Sequence, residues 1–557
     1  MTETDDLTGG ELVVRALQAL GVRHVFGIVS VHNLPVFHAI AGADGIAAVD
    51  VRHEQAAVHA ADAYARTTGR LGVALTSTGP GAANAMGGLF EAGFASSPVL
   101  MITGQVESRF YGQGRGFLHE AERQPAMLRD LTRETITVGR TADIPDAIAR
   151  AARMARTGRP QPCAVEIPID LQYAREAAPP VRADEPPPAR VDAARAERIA
   201  ARLAAASRPL IWAGGGAVSS GASAEVVALA ERLDAPVVTT TNGRGAIPED
   251  HPLSLGSLLT SAPVREVLES ADYVLAVGTR FQMQPTAAWT LRLGGPLAHV
   301  DADPSVIGRS YPVDIGLTGD AVAALRAITA HLPAARDEGD AEWAVQARKA
   351  AAQAREQALE RIGPDHRAIC AAIRTHLPRE GVVVRDATVP AYTWGDNLLP
   401  ILTPRTSLRP TSAAIGPGLP LAVGAAVGTG ARTVVIQGDG GLMLSVGELA
   451  TAAQYHLPIT VCVFNDRGYG VLRGIQRATY DGTPHDVDLA TPDFAALAES
   501  VGVRGVRVGG AAEFAAAFAA SVAAEGPAVL DIDLARLAPI TRLGGSQSPE
   551  RDPGMRD

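Results

Sequence analysis

The chain is poor in cysteine: Cys163, Cys370 and Cys462 are the only three in 557 residues, and they lie far apart. Neither the spacing of a metal site nor the even density of a disulfide scaffold is present, which points to a reducing, cytoplasmic setting. Basic charge is also short. The 50 Lys and Arg against 60 Asp and Glu leave a net charge of -10, the wrong sign for a surface that follows nucleic-acid phosphates, so nucleic acid is not an expected partner. The first residues, Met-Thr-Glu-Thr-Asp-Asp, are acidic where a leader would be basic and then apolar. Long apolar runs are missing too. The uncharged stretches 71–90 and 410–431 are broken by Gly79-Pro80-Gly81 and by Gly416-Pro417-Gly418 with Pro420, so no membrane segment is expected. No short solenoid-type repeat is visible.

What is present is an ordinary globular balance, 47% hydrophobic and 20% charged, in a chain long enough for three or four domains. The 57 glycines and 38 prolines are scattered, as many tight turns between short elements require. Short apolar runs alternate with amphipathic segments of helix length, which predicts α/β layering with parallel sheets. Strands are expected at 72–76, 99–103, 273–277, 434–436 and 459–464. Residues 175–190 are proline-rich and polar like a linker, and residues 333–360 turn Ala/Arg/Glu/Gln-rich like a surface helix. The expected division is 5–174, 191–332 and 361–540, with 541–557 a mobile tail. The first and third parts share a pattern of strand, Gly-rich turn and small-residue helix, as a duplicated α/β domain would.

The segment with the most chemistry begins at Val434-Val-Ile-Gln-Gly-Asp-Gly-Gly and continues to Leu457-Pro-Ile-Thr-Val-Cys-Val-Phe-Asn-Asp-Arg-Gly-Tyr-Gly. A strand runs into Gly438, Asp439, Gly440 and Gly441, and a second strand ends at Asn465. Glycines at such a turn allow phosphate oxygens to approach backbone amides. Asp439 and Asn465 would stand side by side at the carboxyl ends of neighbouring parallel strands, where open α/β sheets place ligands. Their oxygens are hard ligands, suited to Mg²⁺ bridging a diphosphate. A turn Asp and a strand-ending Asn without metal is the structural alternative for either residue alone.

Gly-Asp-Gly with an Asn 26 positions after the Asp resembles the signature of thiamine diphosphate enzymes. The resemblance implies that the backbone carbonyl of Arg467 is a third metal ligand. The first part adds Arg52-His-Glu-Gln-Ala-Ala-Val-His and Thr76-Ser-Thr-Gly-Pro-Gly-Ala-Ala-Asn, which resemble the pyrimidine-binding domain of the acetolactate synthase, pyruvate oxidase and benzaldehyde lyase group. The implied fold is three doubly wound parallel-sheet domains: pyrimidine-binding, central and diphosphate-binding. By the same resemblance Glu54 hydrogen-bonds N1′ of the aminopyrimidine, and proton exchange there yields the C2 ylide and, after substrate attack, an enamine. The run Ala56, Ala57, Val58 and Ala60 would keep that carboxyl in dry company, although a Glu in the first turn of a helix also serves the macrodipole. The resemblance further implies that Pro80 and Asn84 line the pyrimidine pocket and that Ile415, in Ala413-Ala-Ile-Gly-Pro-Gly, is the apolar wedge beneath the cofactor.

On the substrate side the resemblance points to His32, where benzaldehyde lyase also has a His, and to His119, where acetolactate synthase and benzaldehyde lyase have a Gln. A His can shuttle protons near neutral pH where a Gln only hydrogen-bonds. His53, His59 and His456 read as structural. The central part has Ala213-Gly-Gly-Gly-Ala without the full G-x-G-x-x-G spacing; in flavin-binding relatives this domain holds FAD, and here Leu255-Gly-Ser-Leu-Leu-Thr departs from the Gly-Met-His-Gly run of acetolactate synthases, so FAD is not expected. Tyr469-Gly-Val-Leu-Arg-Gly-Ile lacks the Trp that borders the acetolactate synthase pocket. The implied activity is a thiamine diphosphate- and Mg²⁺-dependent lyase or carboligase of 2-oxo acids or 2-hydroxy ketones, with acetolactate synthesis from pyruvate as the alternative. The implied assembly is a homodimer or homotetramer with active sites at subunit interfaces. A catalytically silent diphosphate-binding protein and a Rossmann-type dehydrogenase are the competing classes; retention of Glu54, Asp439 and Asn465 together opposes the first.

Overall fold

The computed structural model describes residues 6–177, 181, 191–333, 342–480 and 482–540. The expected tail at 541–557 and most of the proline-rich 175–190 segment lie outside the described residues. Three six-stranded parallel sheets carry the fold. The first is built from His24–Gly27, Ala47–Asp50, Gly72–Thr76, Val99–Gln105, Glu134–Thr137 and Cys163–Pro168. The second is built from Pro209–Ala213, Val237–Thr239, Ser254–Gly256, Tyr273–Val277, Leu297–Asp301 and Ile315–Thr318. The third comprises Val382–Arg385, Ser407–Leu408, Thr433–Gly438, Ile459–Asn465, Arg504–Val508 and Ala528–Asp533. The innermost strands are buried end to end, which is why they read as continuous Val/Ile/Leu runs: a parallel sheet is covered on both faces.

Numbered along the chain, the strands of the first and third sheets both lie in the order 2-1-3-4-6-5, whereas the second follows 3-2-1-4-5-6. The shared order is the structural counterpart of the sequence pattern common to the first and third parts. In the second sheet the glycines at 214–216 serve backbone packing. Gly214 N and Gly216 N donate to the carbonyls of Val277 and Gly278 at 2.8 and 2.9 Å, and a methyl group on Gly216 would lie 2.7 Å from Gly278 Cα. Amides used in this way have no hydrogen left to offer a dinucleotide.

By compactness the chain resolves into two units. One holds the first sheet together with 408–433 and 445–459, and the other holds the second sheet and most of the third. In the first unit the Ala-rich helix Glu54–Thr68 crosses the helix Gly418–Thr429 backbone to backbone: a methyl group on Gly424 would stand 1.9 Å from the carbonyl oxygen of Ala60.

The surface helix expected over 333–360 is present from Trp343 onward, with Gln346, Arg348, Lys349, Gln353, Glu356 and Gln357 exposed and one stripe buried; residues 334–341 lie outside the described residues. Helical residues Trp343–His376 are broken at Gly363, which sits at φ 79° before Pro364. Ahead of the break, Trp343, Ala347 and Ala354 pack into the core of the second sheet. Ile362, just before the break, and Ile369, Cys370 and Ile373 beyond it pack into the core of the third. Alanines at helical spacing form the buried stripe of this helix, and its Arg, Lys, Glu and Gln residues form the exposed face.

The three cysteines are free and buried, and burial pushes their thiols up, to about 11 for Cys163 and Cys370. No described helix is long and apolar enough to cross a membrane.

In the third core, Trp394 Nε1 donates to His366 Nδ1 at 3.2 Å, so that nitrogen carries no proton. Burial lowers the His366 imidazole to about 4 from 6.5. The unfolded chain therefore takes up a proton below pH 6.5 that the folded chain refuses until about pH 4, and stability is lost across that window. His366→Gln keeps an acceptor for Trp394 without a titrating group. Relative to this variant, the wild type should lose roughly 3 kcal/mol of unfolding free energy between pH 7 and pH 4, read by urea denaturation.

Candidate cofactor sites

In the first unit Glu54 opens the helix Glu54–Thr68, whose amino end is capped by the side chain of His53 accepting from Gln55 N at 3.1 Å. Glu54 itself is half-buried rather than dry. Asn84 Nδ2 donates to Glu54 Oε2 at 3.0 Å, and Asn84 closes the short helix Pro80–Asn84. That segment touches Glu54 on one side: a methyl group on Gly81 would lie 3.2 Å from Glu54 Oε1. It touches the His119 loop on the other, because a methyl group on Gly79 would lie 2.4 Å from the His119 carbonyl oxygen. Gly79 has φ 56°, a conformation that glycine adopts without strain. Glu54, Pro80, Asn84 and His119 are thus brought to one locality.

His32 joins them. Its ring centroid is 5.1 Å from that of His119, with the planes inclined at 38°. His32 is buried and His119 half-buried, and the Nδ1 atoms of both are enclosed with no hydrogen-bond partner among the described residues. Burial, and then the neighbouring His119, hold the His32 imidazole below its ordinary value, against a hydrogen bond to the Leu118 backbone. His119 is itself in the left-handed region at φ 62°, where a His is uncommon. Ile415 lies in the same unit, 37% exposed, on a loop held by the buried Glu91, which accepts from Thr411 N at 2.5 Å and Ser412 N at 3.0 Å.

His59 is fully enclosed, and burial lowers it to about 4; His456 lies in the turn after the helix Glu448–Gln454, at φ 49°. Both positions suit a structural role.

In the second unit Asp439 follows the strand Thr433–Gly438, and Asn465 ends the adjacent strand Ile459–Asn465. The expected juxtaposition at the carboxyl ends is present. Asp439 is fully buried and accepts from Gly468 N at 2.9 Å and, more weakly, from Asp466 N at 3.4 Å. Burial raises the carboxyls of both Asp439 and Asp466, and the charge of Asp439 raises Asp466 further. Asn465 Nδ2 donates to Asp531 Oδ1 at 3.1 Å. Because a carboxylate only accepts, this contact fixes which amide atom is which and turns Asn465 Oδ1 toward Arg467 N, 3.2 Å away. Arg467 adopts φ 54°, reversing the chain directly after the strand. A methyl group on Gly440 would meet the Tyr469 ring at 2.7 Å, and one on Gly438 would meet Thr388 Oγ1 at 3.0 Å.

The desolvated Asp439 carboxyl beside the oriented Asn465 amide oxygen is a donor pair that a hard divalent cation would relieve of its burial cost, so these residues fit a metal–diphosphate group, whereas Asp466 is paired with Arg473 at 3.0 Å.

Sequence reasoning passed over Glu91, Gln124, Glu166 and Asp531. Glu166 carried a signal, a lone charge inside the apolar strand Cys163–Pro168, and Asp531 carried a weaker one, sharing Ala528–Asp533 with Asp533 at the strand end. Glu91 carried a signal as well, the one charge in the apolar helix Met86–Ala95, whereas Gln124 follows a polar run, where a glutamine is not unusual.

Three wound sheets, with one constellation suited to proton exchange and another to a metal–diphosphate, define an enzyme that works through a bound organic cofactor. The family models name it: residues 7–127 match the thiamine pyrophosphate enzyme N-terminal TPP binding domain, 196–328 the central domain and 390–532 the C-terminal TPP binding domain. The chain belongs to the thiamine pyrophosphate enzymes. It is 38% identical over 504 residues to a probable 2-ketoarginine decarboxylase of Pseudomonas aeruginosa, covering 89% of this chain and 88% of that one. It is 32% identical over 564 residues to a probable acetolactate synthase large subunit of Methanocaldococcus jannaschii, covering 97% and 94%. The acetolactate synthase isozyme 3 large subunit of Escherichia coli is 31% identical over 526 residues, 90% of each chain.

Asp439→Ala and Asn465→Ala are expected to abolish Mg²⁺-dependent retention of thiamine diphosphate, measured by equilibrium dialysis. Asp531→Ala, which removes the group orienting the Asn465 amide, should weaken it by about 10–100-fold. Wild-type retention in all three variants would contradict the assignment.

Proposed function

We propose that the protein is a thiamine diphosphate- and Mg²⁺-dependent decarboxylase of a 2-oxo acid, releasing an aldehyde and able to join or cleave 2-hydroxy ketones by the same chemistry. The observation that carries this reading is the enclosed His32–His119 pair with its two unpartnered Nδ1 atoms, since buried polar atoms left open are ones a reaction can use. When bound, the cofactor supplies the nucleophilic carbon and takes up the electrons released as CO₂ leaves.

The chain supplies the rest. Asp439, Asn465 and the Arg467 carbonyl hold Mg²⁺, and Gly438, Gly440 and Gly441 let the diphosphate approach the backbone. Glu54 exchanges a proton with N1′ of the aminopyrimidine, with Asn84 holding its carboxylate; Pro80 lines the pyrimidine and Ile415 supports it. His32 serves the hydroxyl formed on the bound substrate, and His119 delivers the proton that completes the aldehyde. A homodimer or homotetramer is part of the proposal, and flavin is not.

The likeness to a 2-ketoarginine decarboxylase supports decarboxylation and brings 2-ketoarginine onto the substrate panel. Acetolactate synthesis is the second reading, favoured by relatives that cover most of the chain. It ranks lower because His119 replaces Gln and the 469–475 segment lacks the pocket Trp. A dehydrogenase ranks lowest, since the amides of Gly214 and Gly216 are already engaged.

Holoenzyme incubated with pyruvate, 2-ketoarginine and other 2-oxo acids should yield CO₂ and aldehyde faster than acetolactate. His119→Gln should shift the ratio toward the ligated hydroxy ketone, and His32→Ala should slow both products by about 10²–10⁴-fold. Acetolactate from pyruvate as the fastest reaction, or an unchanged ratio in His119→Gln, would contradict the proposal.

A further inference from the structure

Beneath the histidine pair lies a polar cluster with no place in the cofactor chemistry. Gln124, 1% exposed, begins the helix Gln124–Arg129, and its side-chain amide makes four hydrogen bonds. Oε1 accepts from Thr78 Oγ1 at 2.9 Å and from Gly79 N at 2.7 Å. Nε2 donates to Glu166 Oε1 at 2.7 Å and to the Gly104 carbonyl at 3.2 Å. A backbone donor on one atom and a backbone acceptor on the other fix the orientation of the amide, and its full hydrogen-bonding capacity is used. Glu166 is completely buried. Its second oxygen accepts from Thr137 Oγ1 at 2.7 Å, and Gln105 Nε2 approaches the first at 3.4 Å.

Gln124 thereby ties together the two backbone points on which the histidines rest. Gly79 is pressed against the His119 carbonyl. At Gly104 a methyl group would lie 2.3 Å from the His32 carbonyl oxygen and 2.8 Å from its Cβ, so His32 is seated on that glycine. Each histidine is thus one van der Waals contact away from a group that Gln124 holds.

We infer that Gln124, clamped by Glu166, is a positioning unit that sets the separation of His32 and His119 and so governs whether the bound intermediate is protonated to aldehyde or passed to an acceptor. The part about product fate rests on the function proposed above; the part about geometry does not. A displacement near 1 Å is enough to cost about 10²-fold in a positioned proton transfer, and an amide that bridges two loops is placed to prevent it.

The test joins a chemical footprint to turnover. Gln124→Leu removes all four hydrogen bonds, and Thr78→Val, the milder second variant, removes one. Glu166→Leu leaves Gln124 without its clamp, whereas Glu166→Gln keeps the shape and, with the Thr137 hydroxyl turned, the hydrogen bonds. Labelling of histidines by diethyl pyrocarbonate, mapped by mass spectrometry, reads the geometry whether or not a substrate is known.

Gln124→Leu and Glu166→Leu should raise labelling severalfold at His32 and His119 while the buried His59, His299 and His366 stay protected. On the best 2-oxo acid they should lower kcat about 10–100-fold, keep KM within about twofold and change the aldehyde-to-hydroxy-ketone ratio. Glu166→Gln should restore both readouts, and Thr78→Val should change both in the same direction by less. Labelling that rises at all buried histidines, or at none, would overturn the inference, as would a Glu166→Gln no better than Glu166→Leu. If Gln124→Leu does not fold, Thr78→Val with wild-type labelling overturns it. Should the wild type turn over no 2-oxo acid, the functional reading fails while the labelling still decides the geometry.

Discussion

The approach of two backbones, Gly424 against the Ala60 carbonyl, constrains everything around Glu54. A methyl carbon on Gly424 would stand only 1.9 Å from that oxygen, so no side chain fits between the helices Glu54–Thr68 and Gly418–Thr429. The amino end of the first helix, and hence Glu54, is placed by the second. The chain on either side is tethered to match. Glu448 Oε1 accepts from Arg52 N at 2.9 Å, and the Tyr455 hydroxyl accepts from Asp50 N at 2.8 Å, just ahead of Glu54. Glu91 holds the loop that carries Ile415. Small residues in this unit set distances, and buried carboxyls hold the loops.

Those carboxyls are a recurring cost of the architecture. Burial raises Glu91, Glu166, Glu448, Asp439 and Asp531 above the ordinary carboxylate range. All five accept hydrogen bonds from backbone or side-chain donors. A buried polar group is tolerable only when paired, and here the pairing is spent on loops beside Glu54, Ile415, Asn465 and the histidines rather than on the middle of the cores. Rigid placement of a few side chains is what the proposed proton exchange and proton delivery require.

Much of this was legible in the sequence, for physical reasons. Fully buried parallel strands are apolar throughout, so Gly72–Thr76 and Tyr273–Val277 were found to the residue. Asp439 and Asn465 were expected side by side because each directly ends one of two strands joined by a single helix-length connection. The surface helix ahead of the third part was legible from its Ala/Arg/Glu/Gln composition, but its buried stripe, Trp343, Ala347 and Ala354, was not, because alanine is common on both faces. The His32–His119 contact could not be read from periodicity: it depends on which loops Gly79 and Gly104 admit. Gln124 stayed hidden because a hydrogen-bond network between distant loops has no local pattern, and the lone charge of Glu166 in its apolar strand did not name its partners.

Proton exchange between Glu54 and the cofactor is the proposed step on which the others depend. Hydrogen–deuterium exchange at thiamine C2, followed by NMR after acid quench in wild-type and Glu54→Gln holoenzyme, measures that exchange without any substrate. Glutamine keeps the shape and the contact with Asn84 but cannot pass the proton, so exchange should slow by about 10²–10⁴-fold while cofactor stays bound. Exchange at the wild-type rate in Glu54→Gln would contradict the central claim.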